Sequence, residues 1–286
     1  MGNRTQYISI ENTCRDKEQV SYGVPQGSVL GPILFLIYIN GLCHLQIDGE
    51  IISFADDTVL LFKAKDWKTL TPKSELGINI TKKWLDSNLL TLNIDKTKFI
   101  TFSINSRGQP SNNIHIKIHF CQSTIDISTQ TPCDGPPITQ TENIKYLSIY
   151  FDRYIKWDKH IDSVIGKLNK LIYFFKNLRN ILNICDIKNI YLTLAQSIME
   201  YGIIARGCAS KKYINTLFKA QKTLIKVILK LPILTPTSII FEKFPVLKIQ
   251  KLYSKQILTF LYKNLSTFNT SQNSRNTRTR HPNSGY

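Results

Sequence analysis

The chain has 286 residues, of which 42% are hydrophobic, and this is enough to bury a core in one domain or in two small ones. Lys and Arg number 37 against 20 Asp and Glu, which gives a net charge of +17. Such an excess favours a polyanionic partner, by attraction and by release of condensed counterions, and nucleic acid is the polyanion that it predicts.

Membrane and secretory destinations are disfavoured by the sequence. The first ten residues, MGNRTQYISI, are polar and lack the pattern of a signal peptide. The longest apolar run, residues 29–39, is too short to span a bilayer. Six cysteines without CxxC spacing suit reduced thiols. We therefore expect an intracellular protein, cytoplasmic or nuclear, that is not secreted and has no membrane partner.

Residues 21–42 read SYGVPQGSVLGPILFLIYINGL and predict a turn followed by a helix. Glycine and proline punctuate the first half, Ser28 can cap a helix, and Pro32 suits a first helical turn. Residues 34–42 are then expected to form a buried helix.

Residues 53–62, SFADDTVLLF, place two aspartates side by side between β-prone apolar runs. Two carboxylates about 4 Å apart repel by about 4 kcal/mol at an effective dielectric constant near 20. A β-turn in water would relieve this repulsion, and so would a bound cation, and both interpretations stay open at this point. Because the flanks are apolar on both strand faces, the sequence predicts a covered hairpin over residues 51–62, with Ala55, Asp56 and Asp57 as its connection.

The remaining elements change in character near residue 155. Before it, the sequence predicts a helix over 74–90, a turn at 93–96 and strands over 97–102, 114–121 and 143–152. After it, apolar residues at three- and four-residue spacing predict helices over 161–178, 186–205 and 210–231.

This change predicts the domain organisation. We expect an α+β domain over residues 1–152, a helical domain over 153–262, and a polar, basic tail over 263–286 that is disordered.

Two groups of side chains suggest ligands. The helix over 210–231 carries a lysine row, Lys219, Lys222, Lys226 and Lys230, which is either a solvated face or a line of phosphate contacts. A second group, His115, His119, Cys121 and Cys133, matches no standard zinc spacing, so no zinc site is predicted there.

Four sequence blocks, in this order, resemble the reverse transcriptases of Jockey-like non-LTR retrotransposons. They are GVPQGSVLGPILFLIYINGL, FADDTVLLF, WLDSNLLTLNIDKTKFITF and IKYLSIYFD. The resemblance continues through YIKWDKHID and QSIMEYGIIARGCA, so it covers nearly the whole chain except the tail. It implies an RNA-directed DNA polymerase, with part of a polymerase palm (an antiparallel sheet with helices) over 1–152 and a helical, thumb-like domain after it. The implied partners are an RNA template, a DNA primer and deoxynucleoside triphosphates.

The resemblance also implies roles for individual residues. Asp56 and Asp57 would be the catalytic, metal-binding carboxylates, holding Mg²⁺ for a two-metal nucleotidyl transfer onto the primer 3′-hydroxyl, with Asp56 as the direct ligand and Asp57 as a weaker one. The residues expected near the nucleotide are Gln26, Gly27, Phe54, Ala55 and Lys96. Those expected in the primer grip are Lys145, Tyr146, Leu147 and Ser148. The lysine row would follow the nucleic-acid backbone.

The sequence departs from that family's pattern in several places. The resemblance calls for a further carboxylate in a KAFD-like segment upstream of PQG, and this sequence contains none. Ser148 stands where glycine is usual, Gly41 where aspartate is usual, and Arg206 and Cys208 interrupt a usual Trp-Gly-Gly. We therefore expect a truncated polymerase that does not extend a primer by itself. The alternative is a catalytically inactive, basic nucleic-acid-binding remnant, and the oligomeric state is not predicted.

Overall fold

The protein divides into two compact units. A computed structural model describes residues 5–11, 13–14, 16–20, 23–24, 27–102, 114–118 and 135–265. Unit 1 comprises the described residues of Met1–Phe99 and Pro110–Gln140, and unit 2 those of Ile100–Gln109 and Thr141–Tyr286. Helix and strand are both present, so the expected mixture of α and β structure is confirmed. Of the tail predicted over 263–286, Lys263 is the last residue of a helix and 264–265 follow it, while residues 266–286 lie outside the described residues.

The described residues of unit 1 form short strand pairs, two α-helices and one 3₁₀ helix. Its elements, in chain order, are β1 Thr5–Gln6, β2 Ser9–Ile10, β3 Thr13–Cys14, β4 Glu18–Gln19, α1 Gly31–Ile39, a 3₁₀ helix Asn40–His44, β5 Glu50–Phe54, β6 Asp57–Leu61, α2 Trp67–Ser87, β7 Lys98–Phe99 and β8 Thr139–Gln140. Among the described residues each strand pairs with one other strand, so the sheets are two-stranded. The pairs are antiparallel except β7 with β8, which is parallel.

Unit 2 consists of a hairpin followed by helices. Its elements are β9 Asn143–Tyr146, β10 Ile149–Asp152, α3 Asp158–Leu178, α4 Ile184–Ile190, a π-helical segment Tyr191–Gln196, α5 Ser197–Glu200, α6 Ile203–Arg206, α7 Lys211–Ile228, α8 Thr237–Lys243 and α9 Ile249–Lys263. None of the described helices is both long and apolar enough to span a membrane.

The helix after the PQG turn forms as predicted, but its predicted burial is wrong. It begins early, at Gly31, whose N–H donates to the Ser28 hydroxyl at 3.1 Å, and Pro32 occupies the first turn. Leu36 and Ile37 are 54% and 68% exposed, and the buried side chain of α1 is Ile39. The helix is apolar on every face, so the described neighbours in unit 1 can cover only one side of it.

Helix α2 supports the hairpin formed by β5 and β6. The ring of Phe62, which follows β6, lies so close to Gly77 of α2 that a β-carbon there would be 2.5 Å from the ring. A β-carbon added at Gly41 would likewise lie 3.0 Å from the Trp84 ring, so an aspartate at position 41 would crowd the indole. The helix starts at Trp67 rather than 74 because the Asp66 carboxylate caps it, accepting from the Thr69 N–H at 2.8 Å.

A small second core in unit 1 confirms the alternation predicted after residue 114. Ile116, Ile118 and Ile138 are buried together, while His115 is exposed. The Ile138 N–H donates to the Ile116 carbonyl at 2.8 Å, although this segment makes one β-bridge and not a full strand. His119, Cys121 and Cys133 lie outside the described residues.

The core of unit 2 is built on α3 and α7, which confirms two of the predicted helices. Apolar side chains of both helices are buried, among them Ile161, Leu168, Leu217 and Leu224. The helix predicted over 186–205 is instead interrupted, first by the π-helical segment and then at Gly202, whose φ is +67°. Helices α8 and α9 were not predicted individually.

One buried amide joins three parts of unit 2. The Gln221 side chain of α7 donates to the Tyr191 hydroxyl at 3.1 Å and to the Leu247 carbonyl at 2.8 Å, and it accepts from the Ile249 N–H at 3.1 Å. Burial raises the pKa of Tyr191 to about 12, so its hydroxyl stays protonated. The network satisfies polar groups at the start of α9 that would otherwise be buried unpaired.

A neutral histidine is buried where α3 meets the hairpin of unit 2. His160 Nδ1 accepts from the Tyr150 N–H at 3.4 Å, and the side chain is almost completely buried. Desolvation, followed by the nearby charges of Arg206 and Lys167, lowers the pKa of His160 from 6.5 to about 4. An unfolded chain therefore takes up this proton at a higher pH than the folded protein does.

We expect His160 to make unit 2 less stable in acid. Its contribution is complete above pH 6.5 and is lost as the pH falls toward about 4, because only the unfolded state is protonated in that window. A pKa difference of this size corresponds to roughly 3 kcal/mol in the free energy of unfolding. The measurement is urea unfolding at a series of pH values for the wild type and His160→Gln. Parallel pH profiles for the two proteins would contradict the assignment, since other titrating groups contribute equally to both.

Candidate functional site

The aspartate pair lies at the tip of the antiparallel hairpin formed by β5 and β6, as predicted. Phe54 pairs with Asp57, so only Ala55 and Asp56 remain in the loop. The predicted three-residue connection is therefore wrong, because Asp57 is the first residue of β6. The two carboxylates start from different backbone positions, Asp56 in the turn and Asp57 on a strand face with Phe54.

The backbone of this turn is constrained. Ala55 has a φ of +52°, a left-handed conformation that the first loop residue of a primed hairpin turn requires and that glycine adopts most easily. The Ser53 hydroxyl lies 3.4 Å from the Ala55 carbonyl and 3.4 Å from the Thr58 hydroxyl across the strands. These contacts tie the two strands together immediately behind the aspartates.

The hairpin is open to water, so the expectation of a covered hairpin is wrong. Ile52 and Phe54 are 47% and 62% exposed, and both aspartates are exposed. The apolar flanks are not sandwiched because, among the described residues, β5 and β6 form a two-stranded sheet with no third strand. In bulk water two carboxylates about 4 Å apart repel by only about 1 kcal/mol. Exposure to water therefore allows the chain to tolerate the two neighbouring aspartates.

The donor chemistry at the tip suits a hard divalent cation. Mg²⁺ is commonly held by one or two carboxylates while water and substrate phosphates complete its shell, and two accessible carboxylates meet that need. The described residues contain no group of three or more His, Cys, Asp or Glu placed to hold a metal ion. The pair therefore fits one cation that also binds phosphate, and the described residues do not supply the further carboxylate of a second site.

A second tight hairpin, formed by β9 and β10, carries the residues expected in the primer grip. The sequence from 143 to 152 is thus two strands, not one as predicted, with Leu147 and Ser148 as the loop. Both loop residues have positive φ, +45° and +64°. Lys145 is exposed, and its ammonium lies 5.9 Å from the centre of the Tyr150 ring.

Two contacts that the sequence analysis missed hold this hairpin on the helices. The Tyr201 hydroxyl donates to the Leu147 carbonyl at 2.6 Å. The buried Asp152 carboxylate accepts N–H groups from the chain leading into α3, including that of Trp157 at 2.7 Å and that of Lys156 at 2.9 Å. An aspartate ending a strand signals such a turn, whereas no local pattern distinguishes Tyr201.

The lysine row on α7 is only partly free. Lys226 donates to the Ile233 carbonyl. Lys222 lies 3.4 Å from the Thr237 hydroxyl and 4.9 Å from the centre of the Phe218 ring. Lys226 thus contacts the loop after α7, and Lys222 contacts the first residue of α8. Lys219 and Lys230 are exposed, and Lys230 lies beyond the last residue of α7, Ile228.

The other residues expected near the nucleotide lie in unit 1. Gly27 has a φ of +81°, which suits glycine, whereas Gln26 lies outside the described residues. Lys96 is exposed in the predicted turn, where its N–H donates to the Asn93 side chain at 3.1 Å.

Comparison with known protein families identifies the family of this chain. Residues 3–151 match the family described as reverse transcriptase (RNA-dependent DNA polymerase), a stretch that includes the first hairpin and all of the second except Asp152. The chain belongs to the reverse transcriptase family.

Relatives of this reverse transcriptase chain come from Drosophila mobile elements. It is 25% identical over 235 residues to the RNA-directed DNA polymerase from mobile element jockey of Drosophila melanogaster, and 25% identical over 231 residues to that of Drosophila funebris. It is 21% identical over 228 residues to the probable RNA-directed DNA polymerase from transposon X-element. These matches cover 75% to 78% of this chain but 23% to 24% of the relatives.

The reverse transcriptase chain thus spans about a quarter of the length of the curated relatives that it matches. No solved structure matches it significantly. The resemblance to Jockey-like elements is confirmed, and the roles of the individual residues remain predictions.

The positive φ of Ser148 gives a test of the backbone conformation in the second hairpin. Replacing Ser148 with glycine should raise the free energy of unfolding by about 1 kcal/mol, because a β-carbon in the left-handed region costs about that much. Chemical denaturation of the wild type and Ser148→Gly measures the difference. Ser148→Ala retains the β-carbon and should give no gain; an equal gain from alanine would show that backbone conformation is not the cause.

Proposed function

We infer that this chain is part of an RNA-directed DNA polymerase of a non-LTR retrotransposon, acting on an RNA template, a DNA primer and deoxynucleoside triphosphates. The observation that carries the proposal is the exposed Asp56–Asp57 tip within the part of the chain that matches the reverse transcriptase family. The proposal assigns residues 1–152 to part of the palm and 153–262 to a thumb-like domain.

The aspartates hold the divalent cation in this proposal. Asp56 projects from the turn and is the direct ligand, and Asp57, one residue along on the strand face, is the weaker one. The bound cation would neutralise triphosphate charge and favour ionisation of the primer 3′-hydroxyl during in-line displacement. The metal that we propose is Mg²⁺, since carboxylate oxygens and phosphates are its usual ligands.

Residues around the tip bind the nucleotide. Phe54 lies on the same strand face as Asp57 and presents an exposed ring to a base or sugar. Ala55 and Gly27 leave space beside the backbone, and a glycine at 27 lets a ligand approach the main chain closely. Gln26 and Lys96 complete this set, with the Lys96 ammonium offsetting phosphate charge.

Template and primer are bound by basic groups of unit 2. Lys145 and Tyr146 at the end of β9, with the loop residues Leu147 and Ser148, support the primer end in this proposal, and the Tyr201 hydroxyl holds the loop backbone at Leu147. In this proposal the exposed Lys219 of α7 and Lys230, which follows the last turn of that helix, contact backbone phosphates. Lys222 and Lys226 add to the positive potential while they contact the start of α8 and the loop before it.

Magnesium-dependent nucleotide binding tests the carboxylates directly. For metal ligands it needs only the carboxylates of the tip, whereas primer extension also needs a carboxylate that the described residues do not supply. We expect Asp56→Asn to weaken magnesium-dependent binding of a fluorescent deoxynucleoside triphosphate by about tenfold or more, and Asp57→Asn to weaken it less. The measurement is a fluorescence titration with and without Mg²⁺, in the presence of an RNA–DNA hybrid.

Glu50→Gln is the matched control for this experiment. Glu50 is an exposed carboxylate at the far end of the same hairpin, where it pairs with Lys63 at 2.6 Å. Its replacement removes the same charge from the same sheet and should leave nucleotide affinity unchanged. Equal losses in Glu50→Gln and Asp56→Asn would mean that overall charge, and not the tip, determines binding.

Salt dependence tests the contacts to nucleic acid. We expect Lys219→Gln and Lys230→Gln each to reduce the slope of log K against log salt by about one, because each removes one phosphate contact. Lys170→Gln, which removes an exposed lysine from α3, should leave the slope unchanged. Fluorescence anisotropy with a labelled RNA–DNA hybrid at several salt concentrations supplies the slopes. A Lys170 variant that behaves like the other two would contradict a contact surface on α7.

A further inference from the structure

Arg206, at the end of α6, is a buried cation without an acidic partner among the described residues. It is completely buried, and one terminal nitrogen donates to the Met199 carbonyl. Its Nε and Nη1 have no hydrogen-bond partner in the part of the chain that the structure describes. Burial lowers the pKa of Arg206 to about 10, so the guanidinium remains charged at neutral pH. An unpaired buried charge is costly and calls for an anion.

A cavity of about 260 Å³ in unit 2 borders this arginine. Its polar lining includes Arg206, Lys211, Asn215 and Gln250, and none of its lining residues is acidic. Lys211 is the first residue of α7, whose first turn carries no acidic side chain and whose N-cap, Ser210, makes no side-chain cap. The N-terminus of this long helix therefore adds its own positive potential to that of the two cations.

We propose that this cavity is a binding site for a phosphate group, held by Arg206 and Lys211 at the start of α7. Phosphate is favoured because every charged group at the cavity is a cation and a phosphate dianion offers enough acceptor oxygens for several donors. The site is separate from the proposed polymerase function and does not depend on it.

An aromatic ring forms part of the wall of the cavity. Tyr253 of α9 lines the cavity and packs on Gly207, where an added β-carbon would lie 2.0 Å from the ring. Glycine at 207 thus leaves room for the Tyr253 ring in the cavity wall, next in sequence to Arg206, which lines the same cavity. In our proposal the bound phosphate takes up hydrogen bonds from the guanidinium nitrogens that have no partner among the described residues.

A titration of the full chain with inorganic phosphate, at constant ionic strength in chloride, tests the proposal. Lys211→Gln should weaken phosphate binding about fivefold or more, and Arg206→Met should abolish it. Lys212→Gln is the matched control: it removes the neighbouring exposed lysine, which does not line the cavity, and should leave affinity within about twofold. Thermal unfolding of each variant establishes that it is folded; should Arg206→Met fail to fold, the two lysine variants decide.

A second readout reports the position of the ligand. His160 senses the charge of Arg206, so phosphate bound there should raise the His160 pKa, measured from its ring proton by NMR. Absence of binding, equal losses in Lys211→Gln and Lys212→Gln, or a His160 pKa that does not respond to saturating phosphate would each overturn the proposal.

The same titration with short single-stranded DNA identifies the source of the phosphate. Binding of strands with or without a 5′-phosphate would assign the site to backbone diesters, and dependence on the 5′-phosphate would assign it to strand ends. Binding of inorganic phosphate alone would assign it to small phosphorylated molecules. In each case the dependence on Lys211 must persist, and a strand that binds Lys211→Gln as well as the wild type is bound elsewhere.

Discussion

The pairing of Phe54 with Asp57 is the constraint on which the candidate site depends. It leaves two residues between β5 and β6, forces Ala55 into a left-handed conformation, and sets Asp56 in the turn and Asp57 on the strand. A shift of the pairing by one residue would move every side chain of one strand to the opposite face. The register therefore determines which of the two aspartates lies in the turn and which lies on the strand. Support comes from α2, where Gly77 admits the Phe62 ring. The second hairpin also has a two-residue loop with positive φ, at both Leu147 and Ser148.

The two units place their notable ionisable side chains in opposite environments, exposed to water in unit 1 and buried in unit 2. The acidic pair of unit 1 is kept in water, where repulsion is small and a cation has access. In unit 2, Arg206 and His160 are buried close to each other, and the structure accommodates them by keeping the histidine neutral. The polar groups at the start of α9 are satisfied by Gln221, whereas two nitrogens of Arg206 are left without a partner among the described residues. Exposed carboxylates and an unpaired buried guanidinium both point to ligands, the first to a cation and the second to an anion.

The sequence predicted elements with strong local signals and missed those set by tertiary contacts. Regular spacing of apolar residues predicted α3 and α7, and the apolar runs around Asp56 predicted the first hairpin. Burial was misjudged at α1 and at Phe54, because apolar composition does not reveal which neighbours are present to cover a surface. The break at Gly202, which lies against Ile149 of the hairpin, and the hydrogen bond from Lys226 to the Ile233 carbonyl depend on how the chain folds back on itself, and no spacing pattern in the sequence predicted them. The residues of the site were found through the family resemblance, and their geometry only through the structure.

The most direct test of the central claim, that the Asp56–Asp57 tip holds a divalent cation, is cleavage of the protein backbone by iron at that position. Fe²⁺ replaces Mg²⁺ in the presence of a deoxynucleoside triphosphate, peroxide generates hydroxyl radicals at the bound ion, and mass spectrometry maps the cuts. If the tip holds the cation, the cuts fall in the loop between β5 and β6, are suppressed by excess Mg²⁺ and are absent in Asp56→Asn. Cuts that leave this loop intact, or that persist in the variant, would contradict it.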